Sequence, residues 1–247
     1  MKKSLQTNRA QYRFEPIGVI HSPFTGKFGI PRQPGLVTAA RCRLELIPPY
    51  AREDAFAELD GFSHAWLIFV FHACIDGGWR PTVRPPRLGG QRRVGVFASR
   101  APFRPNPIGI SAVRIEGLER SKGRLFLHLT GADLLDGTPV LDVKPYVPYA
   151  DAIPDADGGF ACEAPGTPVS VLFSERAEQA ITLYDHRGER QLRRLIEQLL
   201  QQDPRPGYME RYTDRTDFGM CLYELNIRWR IQHGHSLVWD VSLSSDL

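Results

Sequence analysis

Residues 17–149 form a succession of short apolar runs separated by turns rich in proline and glycine. This pattern favours β-strands, because the 3.6-residue hydrophobic period of a helix is absent apart from residues 52–59. Strands this short and numerous favour a closed or nearly closed barrel, since closure removes unpaired edges. The predicted strands cover residues 17–20, 42–47, 65–72, 94–98, 110–118, 124–130 and 140–143.

The last third of the chain has a different pattern. Ser174 predicts the N-cap of a helix that runs to Tyr184, and residues 191–201 predict a second helix with one leucine-rich face. Two alternating segments, 223–231 and 237–243, predict strands joined by a turn at His233 and Gly234. The chain is thus predicted to be mainly β, with a disordered leader (1–13), a small β-barrel domain with a short helix (14–148), a linker rich in Pro, Gly and Ala (149–168) and a smaller α+β domain (169–247).

Composition excludes several classes of protein. The longest apolar run, residues 65–71, is far shorter than the ~20 residues of a membrane-spanning helix. Residues 1–14 carry charges but no apolar stretch, so a cytoplasmic protein without a signal peptide is expected. Cysteines without CxxC spacing fit reduced thiols and indicate neither a zinc site nor a disulfide framework. They are Cys42, Cys74, Cys162 and Cys221.

One segment is strongly basic. The thirty-nine residues between Asp76 and Glu116 include eight arginines and no carboxylate, although the net charge of the whole chain is only +3. Arginine binds phosphate through planar contacts and stacks on bases, so arginines beside Trp79, Phe97 and Phe103 predict a nucleic-acid or nucleotide surface. A solvated face or a docking patch would also account for such a run. The arginines are Arg80, Arg84, Arg87, Arg92, Arg93, Arg100, Arg104 and Arg114.

Four segments combine rigid turns with polar edges: 31–35, 71–72, 103–109 and 133–139. Restricted backbones can present amides, carbonyls and side chains to a small ligand at a low entropic cost. Ordinary tight turns would explain any one of these segments alone. His72 could equally be a core histidine bonded to a backbone carbonyl.

Taken together and in order, FEPIGVIHSP, PRQPG, FSHAWLIFVFH, GGWRPTVRPPRLGG, VGVFASRAPFRPNPIGIS and DLLDGTPVLDVKPYVP closely resemble the TrmO family. These are the tRNA threonylcarbamoyladenosine methyltransferases, also called YaeB-like or TsaA-like proteins. The resemblance is dense over residues 14–148 and looser beyond, where DPRPGY is similar to the bacterial form. It implies a homodimeric β-barrel enzyme that uses S-adenosylmethionine to methylate the exocyclic amine of threonylcarbamoyladenosine beside the anticodon of threonine tRNAs. Consistently, the chain lacks the GxGxxG turn of doubly wound nucleotide-binding folds.

The resemblance also implies where S-adenosylmethionine binds. Backbone groups of the turns can contact its adenine and amino-acid ends, Phe71 can cover an apolar face, and Arg100 can meet the carboxylate. The matched positions are Gln33, Pro34, Gly35, Phe71, His72, Arg100, Ile110, Ser111, Leu134, Leu135, Asp136, Gly137 and Thr138.

Methyl transfer from a sulfonium depends mainly on positioning, but an adenine amine is a poor nucleophile and benefits from a proton acceptor. Alternation along a strand would place Asp142, Lys144 and Tyr146 on one face, and they form the predicted catalytic cluster. Asp136 is the alternative acceptor. A plain surface ion pair would also account for Asp142 and Lys144.

The arginine-rich segment is predicted to bind the anticodon stem and loop, and the C-terminal unit either enlarges this RNA surface or serves packing or dimerisation. Two other functions fit the composition. One is a non-catalytic RNA-binding β-barrel module. The other is a metal-independent RNA-cleaving enzyme that uses His21, His64 or His72 with Lys144. The predicted RNA-binding residues are Arg80, Arg84, Arg87, Arg92, Arg93, Arg104 and Arg211.

Overall fold

The computed structural model describes residues 11–162, 168–205 and 216–244. The strands are β1 (Gly18–His21), β2 (Arg41–Leu46), β3 (His64–Val70), β4 (Thr82–Val83), β5 (Val94–Gly95), β6 (Ile108–Ser121), β7 (Arg124–Thr130), β8 (Pro139–Pro145), β9 (Val171–Phe173), β10 (Asp217–Leu222), β11 (Leu225–Gln232) and β12 (His235–Leu243). The α-helices are α1 (Pro148–Asp151), α2 (Glu175–Tyr184) and α3 (Leu192–Gln201).

Six antiparallel strands close into a barrel in the order β1-β2-β7-β6-β3-β8. The seam that closes it is short, because β1 meets β8 through two register pairs, Gly18 with Val140 and Val19 with Pro139. The prediction of a mainly β first unit is therefore confirmed.

Strand alternation fills this barrel with apolar side chains. In β3, for example, Ala65, Leu67 and Phe69 are buried, while the residues between them face outward. Each fully buried aliphatic or aromatic side chain contributes roughly 1.5–3 kcal/mol by leaving water. The barrel core consists of Ile20, Cys42, Leu44, Leu46, Leu67, Phe69, Val113, Leu125, Leu127, Leu129, Ala132, Leu134 and Val140.

The C-terminal unit is a four-stranded sheet in the order β10-β11-β12-β9, in which β9 runs parallel to β12. Ser174 caps α2 as predicted, since its Oγ accepts a hydrogen bond from the Ala177 amide at 3.2 Å. The predicted leucine-rich face of the next helix is also confirmed, and the turn at His233 and Gly234 joins β11 to β12. The buried residues of that helix are Leu192, Leu195, Ile196, Leu199 and Leu200.

Residues 22–40, which we call the connector, link β1 to β2 but do not pack into the barrel core. Phe24, Val37, Ala39 and Ala40 are instead buried in the hydrophobic core of the C-terminal unit. Phe28 stacks on Trp229 of β11, with ring centroids 6.1 Å apart. The connector, which precedes β2 in the barrel, thus completes the hydrophobic core of the C-terminal unit.

Some local predictions are wrong. The helix predicted over 52–59 is replaced by 3-10 turns at Glu53–Phe56 and Leu59–Gly61, because Glu58 between them has a left-handed backbone, φ 65°. The strand predicted over 94–98 ends after two residues, and a 3-10 turn, Val96–Ala98, follows.

In the C-terminal unit, Tyr223 adopts φ 55° in the turn before β11, so the predicted strand starts later than expected. The strands β9 and β10 were not predicted. The four cysteines are free thiols. None of the helices in the described part of the chain has the length and apolar composition needed to cross a bilayer.

Candidate active site

A cleft of about 450 Å³ lies at one mouth of the barrel. At this mouth β1, β3 and β7 end and β2, β6 and β8 begin, because neighbouring strands are antiparallel. The mouth therefore gathers parts of the chain that are distant in sequence. The walls come from the connector, from residues 69–74 and 99–104, from the start of β6 and from the loop between β7 and β8.

Most of the positions assigned to S-adenosylmethionine share this cleft. Those that line it are Gln33, Pro34, Phe71, His72, Arg100, Ile110, Ser111, Leu134, Leu135 and Thr138. The structure therefore brings together turns that the sequence separates by more than a hundred residues.

Three of the assigned positions are not among the lining residues; they fix the turns instead. The Gly35 amide donates to the Gly131 carbonyl at 2.8 Å, with Gly35 at φ 79°. The Asp136 carboxylate accepts a hydrogen bond from the Ser22 amide at 2.8 Å. The Gly137 amide donates to the Ile20 carbonyl at 2.9 Å.

The cleft is cationic. Lys27, Arg32, Arg100 and Arg104 line it, together with one carboxylate, that of Asp133, among the described residues. In the described part of the chain these four cations donate hydrogen bonds to uncharged acceptors, and the Arg100 guanidinium, for example, donates to Gln33 Oε1 at 2.7 Å. Within the residues that the structure describes, none of the four is hydrogen-bonded to a carboxylate, although the Arg100 charge acts on Asp133, so the cleft favours a ligand with an anionic group.

Asp133 is a site residue that the sequence reasoning missed. Its carboxylate accepts a hydrogen bond from Ser111 Oγ at 2.6 Å inside the cleft. Burial raises the pKa of Asp133, against the opposing effects of the Ser111 hydrogen bond and the Arg100 charge. The sequence offered one local signal: Asp133 is an acidic residue between two apolar ones, Ala132 and Leu134, at the start of the turn 133–139. Both of these neighbours are buried in the structure.

The predicted catalytic cluster does not line this cleft. Asp142 and Lys144 form an ion pair of 2.8 Å with both side chains substantially exposed. They pair in register with Ile68 and Trp66, which point outward from the barrel, and the Tyr146 ring lies 5.4 Å from that of Trp66. Asp142 instead borders a second cleft of about 470 Å³. Within one subunit, the cluster occupies the outer wall of the barrel.

The histidines proposed for RNA cleavage are dispersed. His64 begins β3 and His72 follows the end of the same strand. At ~3.3 Å per residue, the seven residues of that strand separate them by roughly 20 Å. His21 contacts Glu45 at 2.7 Å on the outside of another strand pair. His64 and His72 are therefore too far apart to act together as acid and base.

The arginine-rich segment forms a projecting loop next to the cleft. The loop contains the two-stranded β4–β5 ribbon, and Trp79 and Phe97 are 56% and 75% exposed. Arg80 lies 4.3 Å above the Phe103 ring. Among the predicted RNA-binding residues, the exposed ones are Arg80, Arg84, Arg87, Arg92 and Arg93, whereas Arg211 lies outside the described residues.

Arg104 differs from the other arginines of this loop. Its Nη1 donates to the carbonyls of Val96 and Ser99, at 3.0 and 2.7 Å, and its guanidinium lies 5.5 Å from the Phe97 ring centroid. The residue is half-buried and also lines the cleft. Arg104 thus shapes the junction between the loop and the cleft.

Fold and site together define a β-barrel protein with a cationic small-molecule cleft at the barrel mouth and an arginine-rich surface beside it. Two family models match the chain: the tRNA-methyltransferase O N-terminal domain over residues 19–152 and the TrmO C-terminal domain over residues 166–244. The chain belongs to the TrmO family.

Individual relatives agree with this assignment. The tRNA (adenine(37)-N6)-methyltransferase of Escherichia coli is 47% identical over 222 residues, which cover 90% of this chain and 94% of the relative. A Pseudomonas aeruginosa protein provisionally named S-adenosylmethionine-dependent methyltransferase RcsF is 51% identical over 214 residues, covering 87% of this chain and 90% of the relative. The crystal structure of TrmO from Pseudomonas aeruginosa superposes with a TM-score of 0.79 at 41% identity, covering 97% of this chain and 100% of that one.

Proposed function

We propose that this protein transfers a methyl group from S-adenosylmethionine to the exocyclic amine of threonylcarbamoyladenosine next to the anticodon of threonine tRNAs. The broader class, an S-adenosylmethionine-dependent tRNA adenosine N-methyltransferase, follows from membership of the TrmO family. That membership also speaks against the non-catalytic RNA-binding module. The identity of the modified nucleoside and of the tRNA is the proposed part.

The observation that carries the proposal is a shared wall. Ser99, Arg100, Pro102 and Arg104 belong to the arginine-rich loop and also line the cleft. A tRNA bound by the exposed arginines would therefore present its bases directly beside the small-molecule site. Unstacked anticodon-loop bases are the usual target of proteins that recognise RNA sequence.

The chemistry of the cleft suits S-adenosylmethionine. Arg100 offers a charged donor for its carboxylate, Phe71 offers an apolar surface, and the hydroxyl of Ser111 with the carboxylate of Asp133 offers polar contacts. When bound, S-adenosylmethionine supplies an activated methyl group on its sulfonium. The residues of the chain then have to align the amine, exclude water and accept one proton.

Asp133 is the proposed proton acceptor within one subunit, because it is the carboxylate that lines the cleft in the described part of the chain. The amine nitrogen gains the methyl group and loses a proton, which the ionised carboxylate takes. Asp136 is less suited, since its carboxylate is engaged by the Ser22 amide. Asp142, Lys144 and Tyr146 remain candidates only if a second subunit brings its outer wall to this cleft.

A homodimer is part of the proposal. Ile108 and Ile110 line the cleft, yet their side chains are 40% and 50% exposed on the outside of β6. They pair in register with Val70 and Ile68 of β3, so an apolar strip runs from the cleft edge along the outer wall. A second copy covering this strip would also approach Asp142. We also propose a cytoplasmic location, since the proposed substrate is a tRNA.

Nucleoside mass spectrometry tests the function. Total tRNA is incubated with the protein and S-adenosylmethionine, with and without prior threonylcarbamoylation. We expect a gain of one methyl group on threonylcarbamoyladenosine and no gain on unmodified adenosine. Methylation of adenosine that lacks the threonylcarbamoyl group would contradict the proposed substrate.

Cleft variants show whether the donor binds where proposed. Arg100→Ala and Phe71→Ala should weaken S-adenosylmethionine binding in calorimetry, whereas Arg187→Ala, an exposed site in the C-terminal unit, should not. Unchanged binding by both cleft variants would place the donor elsewhere.

A further inference from the structure

The connector connects the cleft to the C-terminal unit. On one side it supplies a wall of the cleft through Lys27, Ile30, Pro31, Arg32, Gln33 and Pro34. On the other side its apolar residues are buried against α3 and the C-terminal sheet. Both sets of residues belong to one short stretch of chain. A shift of the connector against the C-terminal unit would therefore also move the wall of the cleft.

The turn that carries the cleft residues has little support from the barrel. Arg32, Gln33 and Gly35 are exposed, and a backbone hydrogen bond from the Gly35 amide to the Gly131 carbonyl joins this turn to the barrel side. Exposed turns with few backbone bonds have low local stability. Ordering such a turn on ligand binding would cost conformational entropy of about 1–2 kcal/mol per residue.

The C-terminal unit supplies the missing support through polar contacts at both ends of the connector. Gln198 of α3 accepts a hydrogen bond from the Ala39 amide at 2.9 Å and donates to Thr38 Oγ1 at 3.0 Å. The Tyr223 amide donates to the Pro23 carbonyl at 2.7 Å. In the middle, Arg32 donates to the carbonyls of Asp203 and Arg205, at 3.2 and 2.9 Å.

Close packing reinforces these bonds. Gly29, at φ 92°, lies so near β10 that an added Cβ would meet the Met220 sulfur at 2.9 Å. The neighbouring Phe28 ring is stacked on Trp229, nearly parallel at 9°. The connector is therefore seated on the C-terminal sheet along most of its length.

We infer that the C-terminal unit positions the connector for methyl-donor binding, with Gln198 as a positioning residue that never touches the donor. The inference rests on the proposed donor site in the cleft. Because the turn is held before the ligand arrives, the donor does not have to order it. Weakening the contacts between the connector and the C-terminal unit should lower donor affinity and leave the chemical step at saturating donor intact.

The test compares three variants of the full chain by calorimetry with S-adenosylmethionine and by steady-state methylation. Gln198→Met keeps the side-chain length and removes both hydrogen bonds, Gln198→Glu keeps an acceptor for the Ala39 amide, and Gln179→Met makes the matched change on the exposed side of α2.

Gln198→Met should weaken donor binding about threefold to tenfold, in line with the loss of one or two ordinary hydrogen bonds. The kcat at saturating donor should stay within about twofold, since the reacting groups are untouched. Gln198→Glu should retain most of the affinity, and Gln179→Met should match the wild type. Amide hydrogen exchange at Gly35 should be faster in Gln198→Met.

Equal donor affinity in Gln198→Met and Gln179→Met would overturn the inference, as would weaker binding with unchanged exchange at Gly35. If Gln198→Met does not fold, Phe28→Leu, which removes the stack on Trp229, carries the same expectations. Failure of the proposed function looks different: the wild type would not methylate the expected nucleoside, or the Arg100 and Phe71 variants would bind the donor normally.

Discussion

Replacing Asp133 by Asn changes one charge in the cleft and almost nothing in its shape. The amide oxygen of Asn can still accept the hydrogen bond that Ser111 donates at 2.6 Å. The side chain can no longer take a proton from the attacking amine. Removal of a positioned acid or base lowers rates by about 10²–10⁴-fold, equivalent to ~2.7–5.4 kcal/mol of barrier.

The effect on stability has the opposite sign. Burial raises the pKa of Asp133 in the folded protein, so folding favours its protonated form. Its contribution to stability is therefore present at low pH and lost as the pH rises through the folded-state pKa. At neutral pH the neutral Asn avoids the cost of burying a charge, so Asp133→Asn should melt at the same temperature as the wild type or above it.

The assay is single-turnover methylation of threonylcarbamoylated tRNA over a range of pH, with donor affinity measured separately. The wild-type rate should fall as the pH is lowered through the raised pKa of Asp133, because the acceptor must be ionised. Asp133→Asn should be slow at every pH, lack that limb and bind the donor. Asp142→Asn, on the outer wall, is the comparison.

A wild-type rate in Asp133→Asn would refute the assignment. If Asp142→Asn were the slow variant instead, the acceptor would come from a second subunit, and the oligomer would be needed for catalysis. Loss of donor binding in Asp133→Asn would make Asp133 a donor ligand rather than a proton acceptor.

Three further predictions concern RNA binding and stability. Replacing both Arg84 and Arg92 by Ala should reduce the slope of log affinity for tRNA against log salt by about 1.4, at ~0.7 per phosphate contact, in fluorescence titrations; an unchanged slope would remove them from the RNA surface. Gly109→Ala should destabilise by about 1–3 kcal/mol in urea, because the added Cβ overlaps an aromatic ring of β3, whereas Gly61→Ala, with open space around it, should be close to neutral. Equal midpoints for the two glycine variants would contradict the packing argument. Ser174→Ala should cost about 1 kcal/mol through loss of the α2 cap, and no loss in thermal melting would show that the cap is replaceable.

Local patterns predicted much of the barrel. The run 124–130 became β7 with identical bounds, because alternation and turn residues on both sides define it without help from the rest of the chain. Residues 52–59 failed because helical spacing says nothing about a left-handed residue such as Glu58. Residues 94–98 failed because two of them had a partner strand and the others did not.

The sequence motifs identified which turns to compare, and the folded chain decides which of them meet. The turns around Gln33, Phe71 and Leu134 line one cleft, and the binding of S-adenosylmethionine there stays a prediction. Alternation correctly placed Asp142 and Lys144 on one face of β8. It could not indicate that this face is the outer wall of the barrel, because that depends on which face the other strands bury. The connector shows the same limit: no local period indicates that its apolar residues enter the C-terminal core.

The short seam between β1 and β8 determines where the barrel opens locally. Its two register pairs are extended by backbone hydrogen bonds of Ile17 with Val140 and of Ile20 with Gly137 and Thr138. The contact is still shorter than the five register pairs between β3 and β8 or the seven between β3 and β6, and Pro139 has no amide hydrogen to donate. Thermal unzipping should begin along this line, so amides of β1 should exchange with deuterium before those of β6. Opening along this line would convert the barrel into an open sheet with β1 and β8 as unpaired edge strands. These edges are where strand exchange between two molecules would begin.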